Sequence, residues 1–325
     1  MSQTAKARWR AGLTATAASV AAALAGASIA SAAACGGGIP CQCGDTVTTS
    51  TALSADLGVC TGTGLTVISG VTLDCAGHTI TGSTLSPTQY GVLVDGATGA
   101  TVTQCRVTGF RKGIRLSGGS HNKVVGNEAF TNHDYGIEMS GASSANKIKK
   151  NTVYNNRDEG IHVGAGADNN LIKKNVVTRN KHENIYVLSA EGTQIVDNTV
   201  TTNDSAAILM KHAHDSYAAR NTLLYGAVFV RGDSVGNVFE DNSLRGNGYF
   251  FEAYQETTGA WSFPHDNTVT GGKVENTQDC LRFGGAYDNV VTGLALDSEC
   301  HVTMWVEGGQ AASGNVIDTV RLPGG

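Results

Sequence analysis

Ionisable residues recur in this sequence at a spacing of 24. Asp134, Asp158 and His182 form one series, and Glu138, His162 and Tyr186 form another. An imidazole and a phenol are side chains that take or give a proton, and a carboxylate can orient or relay one. Lys211 and Arg231 follow further along the chain. Fixed cations beside a proton-transfer pair suit a reacting group that carries negative charge or develops it. The chemistry this set predicts is removal of a proton next to a carboxylate.

Such a set is useful only if some element places the residues together. "NNRDEGIHVGAGADNNLIKKN", residues 155–175, has four large apolar residues, Ile161, Val163, Leu171 and Ile172, among Asn, Gly and charge. It cannot bury itself and must be one layer of a larger stack. The same pattern, a small residue and then apolar-x-apolar, begins at Gly91, Gly113, Gly136, Gly160, Asn184, Ala207 and Ala227, in steps of 22, 23, 24, 24, 23 and 20. Two further apolar couples recur in phase, one after Asn122, Asn146, Asn170 and Asn237, the other after Asn127, Asn151, Asn175, Asn198, Asn221 and Asn242.

Three short alternating segments per period exclude a helical solenoid, which needs ten or more residues of 3.6 periodicity. The consensus of a leucine-rich repeat is missing. An all-β parallel β-helix remains, one coil per period, with rungs about 4.8 Å apart. The recurring Asn are expected to sit at bends, to tolerate left-handed backbone there, and to bond their amides to the coils above and below.

In that register the outward residue between the two core residues runs Leu93, Arg115, Glu138, His162, Tyr186, Leu209, Phe229, Phe250, Arg282, Thr303. Two places on it runs Asp95, Ser117, Ser140, Gly164, Leu188, Lys211, Arg231, Glu252, Gly284, Trp305. Asp134, Asp158 and His182 fall at the turn into this face. The face suits an extended acidic polysaccharide. His162 and Tyr186 are the expected proton carriers, and Lys211 and Arg231 the carboxylate partners. Asp134, Glu138, Asp158, His182, Arg282 and Trp261 are expected to bind substrate. Two alternatives stand beside this: a merely solvated sheet face with Arg115 and Glu138 paired across coils, and a hydrolase using Asp134 and Asp158 as its two carboxylates.

Residues 1–34 read as a secretory signal peptide: Lys6, Arg8 and Arg10, an apolar run from Leu13 to Ile29, and small residues Ser31 to Ala34. Residues 35–70 read as a disulfide-rich N-terminal cap, and 71–325 as the β-helix with an inserted loop near 253–266. All eight cysteines (Cys35, Cys41, Cys43, Cys60, Cys75, Cys105, Cys280, Cys300) lie in the exported part, which predicts disulfides. The spacings suggest Cys75–Cys105 and Cys280–Cys300, with the other four in the cap. Net charge is −5 with acids and bases mixed along the chain, so no basic footprint for nucleic acid is expected. Beyond the leader no stretch is apolar enough to span a membrane. A secreted or periplasmic monomer is expected. For metal, His212, His214 and Asp215 are the thin candidate set. No strong metal motif marks a calcium site, and the cofactor is left unknown.

"LDCAGHTITG" at Leu73 to Gly82 and the coils from Gly91 to Val230 resemble the secreted right-handed parallel β-helix proteins, in particular the NosD-like and pectate-lyase-like members of the carbohydrate-binding and sugar-hydrolase group. The resemblance covers nearly all of the exported chain. It implies a right-handed parallel β-helix of 22–24 residues per coil and a polysaccharide partner. It leaves three activities open: a polyuronate lyase or C5-epimerase, a non-catalytic carbohydrate-binding protein, and a NosD-like copper-site accessory protein. His133-Asp134 is similar to the second half of the Asp-Pro-His-Asp motif of mannuronan epimerases, whose Asp-Pro half is absent here.

Overall fold

A computed structural model describes residues 33–83, 89–202 and 205–322. The leader falls almost wholly outside these residues. Each period folds into three short strands. In two of them the central residue points inward: in Lys147–Lys149 only Ile148 is buried, and in Thr152–Tyr154 only Val153. In the third, on the first sheet, the central residue points outward between two core residues, as His162 does between Ile161 and Val163. Successive coils pair in parallel. One face is a 13-stranded sheet that runs from Ala34–Cys35 through Tyr90–Asp95, Ile161–Val163 and Tyr249–Glu252 to His301–Trp305. All but two of the remaining strands form the second and third faces, joined in a 22-stranded sheet. The core is one column of stacked Val, Ile, Leu and Phe, most of it fully buried. Among the described residues there is no α-helix, and no helix is long and apolar enough to cross a membrane.

Buried asparagines hold the coils in register. Asn127 Nδ2 donates to Asn151 Oδ1 (3.0 Å), and the series continues through Asn175, Asn198, Asn221 and Asn242 at 2.9–3.0 Å. Each Nδ2 also donates to a backbone carbonyl of an adjoining coil, as Asn175 does to Ile148 O (2.9 Å). These amides are fully partnered, which removes the cost of burying them. The ladder residues are not the left-handed ones. That conformation falls on the residue before them: Lys150 (φ 54), Lys174 (φ 56), Asp197 (φ 58), Arg220 (φ 52) and Asp241 (φ 49). The expectation of one residue doing both tasks is corrected here. The turn needs positive φ at one position and a buried amide at the next, and the chain divides the tasks.

At the entry to the first sheet a small residue is required. A Cβ on Gly160 would lie 2.5 Å from Val177 Cγ1 and 2.6 Å from Asn180 Nδ2, so the chain can bend into the core only with a hydrogen there. Parallel pairing begins before residue 71: Ala34–Cys35, Asp45–Val47 and Leu65–Val67 are already rungs of the first sheet. Cys35–Cys41 and Cys43–Cys60 brace this end, Cys75–Cys105 ties early coils, and Cys280–Cys300 ties late ones. Four disulfides fit an exported location. The surplus residues after Glu252 form an antiparallel hairpin, Tyr254–Gln255 with Trp261–Ser262, that projects from the first sheet.

Candidate functional site

The outward column of the first sheet is formed as the spacing predicts. Arg115 lies opposite Glu138, Glu138 opposite His162, His162 opposite Tyr186 and Tyr186 opposite Leu209. The second column places Leu188, Lys211, Arg231 and Glu252 on successive rungs. At the turn, Asp158 N–H donates to Asp134 O, and His182 N–H to Asp158 O, so that series is in register as well.

His162 is buried between two aromatic rings. Tyr135 stacks on it (centroids 4.5 Å, 7° between planes), and Tyr186 meets it edge-on (5.3 Å, 87°). Its Nδ1 has no hydrogen-bond partner. Burial, followed by the positive charge of Lys112, lowers its pKa to about 4, so the ring is neutral near pH 7. Burial, then the charges of Glu183 and Glu159, pushes the Tyr186 phenol up, and it stays protonated. Tyr135 is pushed up in the same way, by burial and then Glu159.

Glu159 is a candidate that outward-column reasoning missed. It is 7% exposed, its Oε2 has no partner, and burial followed by the charge of Asp158 raises its pKa to about 8. A carboxyl group that keeps its proton at neutral pH is a functional-site signal. Glu159 belongs to a third series, Lys112, Tyr135, Glu159 and Glu183. Each precedes the bend residue, Gly113, Gly136, Gly160 or Asn184, where backbone bonds run from coil to coil. The residue just before the repeat's small residue was the signal that could have found it.

Glu138 is also buried, but partnered. Lys112 Nζ donates to its Oε1 (2.6 Å), and Arg115 Nε lies 3.2 Å from Oε2 as an ion pair. Arg115 is held further by Tyr90 Oη (2.9 Å) and Ser140 Oγ (3.1 Å). Asp134 is engaged by Arg111 (2.5 Å) and His133 (3.0 Å), and Asp158 by His182 (2.5 Å).

Further along the sheet the cations are covered. Lys211 Nζ sits 3.4 Å from the centroid of the Tyr254 ring on the hairpin. Arg231 lies over Phe229 and pairs with Glu252 (2.8 Å). Arg282 lies between Phe250 and Trp305, 3.9 Å from Glu252. Burial, then Glu252, raises the pKa of nearby Glu307. Trp261, on the outer strand of the hairpin, is 38% exposed and packs close to Gly308.

The candidate metal set is corrected in one member. Asp233, not Asp215, is the carboxylate near both histidines, 2.5 Å from His212 Nδ1 and 3.8 Å from His214 Nε2. His212 has left-handed backbone (φ 50), so the segment is not the extended strand that would hold Asp215 beside them. Glu256 of the hairpin reaches His212 Nε2 at 3.2 Å. These histidines and Asp233, with Asp168 and Glu191, line an open cavity of about 460 Å³. Among the described residues, no three His, Cys, Asp or Glu are arranged to hold a metal ion.

Two family models match the chain: "Right handed beta helix region" over residues 59–199 and "Periplasmic copper-binding protein (NosD)" over residues 155–261. Among solved structures it is similar to the periplasmic alginate epimerase AlgG, at 14% identity over 87% of this chain and 76% of that one, with a TM-score of 0.51. A variant of the same epimerase gives 12% identity, 85% and 78% coverage and a TM-score of 0.52. The Dettilon tailspike protein gives 17% identity over 64% of this chain and 54% of that one, with a TM-score of 0.50. The chain therefore spans about half the length of the tailspike. Comparison with curated proteins gave no match. At these identities the likeness is one of fold.

Proposed function

The chain being a right-handed parallel β-helix protein, we propose that it is directed at a polysaccharide and acts on a uronate-containing polymer as a lyase or C5-epimerase. One observation carries this reading. On two adjacent coils, Glu159 and His162 are buried and Tyr186 is half-buried, and desolvation shifts each toward its neutral form. A neutral imidazole beside a protonated phenol is a base–acid pair ready at neutral pH.

In this mechanism neutral His162 takes the C5 proton. In elimination the electron pair forms the C4=C5 double bond as the C4–O bond breaks, and Tyr186 gives its proton to the departing oxygen. His162 then returns a proton to Tyr186. In epimerisation Tyr186 instead delivers its proton to the opposite face of C5, and the proton held by His162 then restores Tyr186. Protonated Glu159 donates a hydrogen bond to the C6 carboxylate, and Lys211 adds positive charge from a neighbouring rung, so that charge growing toward C6 is stabilised. Arg231, already paired with Glu252, contributes less. Similarity in fold to an alginate epimerase is compatible with this substrate class.

The test is incubation with a panel of soluble polyuronates. Absorbance from unsaturated ends reports elimination, and exchange of the C5 proton in deuterated water reports epimerisation. Neither signal on any polyuronate would sink the catalytic reading and leave a carbohydrate-binding protein. The copper-accessory reading rests on His212 and His214 both approaching Asp233 within the NosD match. Submicromolar copper binding lost in His212→Ala would favour it.

A further inference from the structure

The second face of the solenoid carries a feature that the first-sheet chemistry does not use. Strands Lys123–Val125, Lys147–Lys149 and Leu171–Lys173 lie side by side, with Lys123 opposite Lys147 and Lys149 opposite Lys173. Lys147 and Lys149 flank buried Ile148, so both point outward. At the following bend Lys150 N–H donates to Lys173 O, which sets Lys150 beside Lys174. Six lysines thus occupy three consecutive coils of a protein whose net charge is −5. Neighbours stand about 4.8 Å apart across rungs and about 7 Å apart along a strand.

Their mutual repulsion is poorly compensated. Among the described residues, Lys173 is the one of the six with a carboxylate at ion-pair distance: Asp197 at 3.2 Å, which Arg220 shares at 3.0 Å. Burial, then the charges of Lys147, Lys173, Lys123 and Lys150, holds Lys149 below the usual lysine range. Lysines often protect a sheet edge from unwanted pairing, but these strands are interior, covered by Thr101–Thr103 on one side and Gln194–Val196 on the other. The fold itself has no use for the cluster.

We infer that this lysine lattice is a second binding track, separate from the first sheet, for a linear polycarboxylate chain. The choice of polyanion rests on the polysaccharide-directed reading above. The charges are laid out in rows over flat strands, which fits an extended polymer better than a compact anion. All six are lysine, so the guanidinium fork that grips phosphate in two places is absent. None of the three strands carries an aromatic residue on which a base would stack. The track holds a polymer by its repeated charge and raises its local concentration for the first sheet.

The experiment is calorimetric binding of polygalacturonate at two salt concentrations. The proteins are wild type, Tyr186→Phe, and the combined variant Lys123→Gln, Lys147→Gln, Lys149→Gln, Lys150→Gln. The four-lysine variant is expected to lose at least about tenfold in affinity and to show a shallower salt dependence, while Tyr186→Phe binds as wild type. If the four-lysine variant unfolds, the pair Lys150→Glu and Lys174→Glu, both at exposed bend positions, replaces it. Unchanged, tight binding by the folded lysine variant overturns the track and leaves the first-sheet reading standing. A wild type that binds no polyuronate, or that binds single-stranded RNA instead in a lysine-dependent way, overturns the track's ligand and the polysaccharide reading together.

Discussion

The two halves of the first sheet's outward face carry similar residue types in opposite states. Around His162 two buried ionisable groups are incompletely partnered: Glu159 Oε2 and His162 Nδ1 have no hydrogen bond. From Lys211 to Trp305 the charges are answered, by Tyr254 over Lys211, by Glu252 beside Arg231 and Arg282, and by aromatic rings under both arginines. Residue type alone does not distinguish them. Desolvation without a partner moves a pKa toward the neutral form, whereas desolvation with an opposite charge keeps the pair ionised. On the proposed reading, the first half moves protons and the second holds a chain of sugars by stacking and charge.

The sharpest way to break this contrast is Tyr186→Phe, which removes one hydroxyl from the upstream half. Turnover on a polyuronate should fall on the order of a hundredfold with KM nearly unchanged. His162→Ala should do at least as much. Activity surviving both changes would move the centre, with Asp134 and Asp158 next in line.

The pH profile sharpens the contrast further. Activity should need neutral His162 and protonated Glu159, so kcat/KM should fall off on the acid side near pH 4 and on the alkaline side near pH 8. Glu159→Gln should abolish the alkaline limb. An alkaline limb that stays in place would transfer it to another group.

Lys211→Ala should cost about tenfold in kcat/KM, shared between turnover and affinity, because the ground state also uses its charge. Arg231→Ala should cost less, since its charge is already spent on Glu252. A loss at Arg231 that exceeds the loss at Lys211 would reverse the assignment of the downstream half. By contrast Arg115→Ala, which the column alone places beyond the centre, strips a cation from buried Glu138 and should lower stability.

The smallest effect is on stability against pH. Glu159 has its pKa raised on folding, so its contribution is full below its unfolded value and lost as pH rises through about 8. His162 is the reverse: its contribution is full above pH 6.5 and lost as pH falls toward 4. Glu159→Gln should therefore unfold at a higher temperature than wild type at pH 9, with little difference at pH 4. Equal midpoints at pH 9 would show that Glu159 is not buried as a neutral acid.

Much was legible in the sequence because a coil repeats. Period, inward residues and register follow from apolar couples and asparagines spaced one coil apart, and each coil must match the next for its backbone bonds to form. Hence Arg115, Glu138, His162 and Tyr186 line up as their spacing predicts. The lysine lattice was readable by the same rule, since Lys123 and Lys147, Lys149 and Lys173, and Lys150 and Lys174 are each 24 apart, although the charge balance of the whole chain conceals it.

What only the tertiary structure decided is which of those outward residues is covered and by what. Glu159 keeps its proton because the fold buries it, leaves its Oε2 without a partner, and sets it beside the charges of Asp158 and Glu183. Asp233 replaces Asp215 beside the histidines because His212 turns left-handed. Lys211 and His212 meet Tyr254 and Glu256 because a hairpin inserted some forty residues later in the chain folds back over them. Register is a local, repeating constraint and can be counted from sequence. Burial and charge pairing are sums over neighbours from different coils and an irregular insertion, and no period announces them.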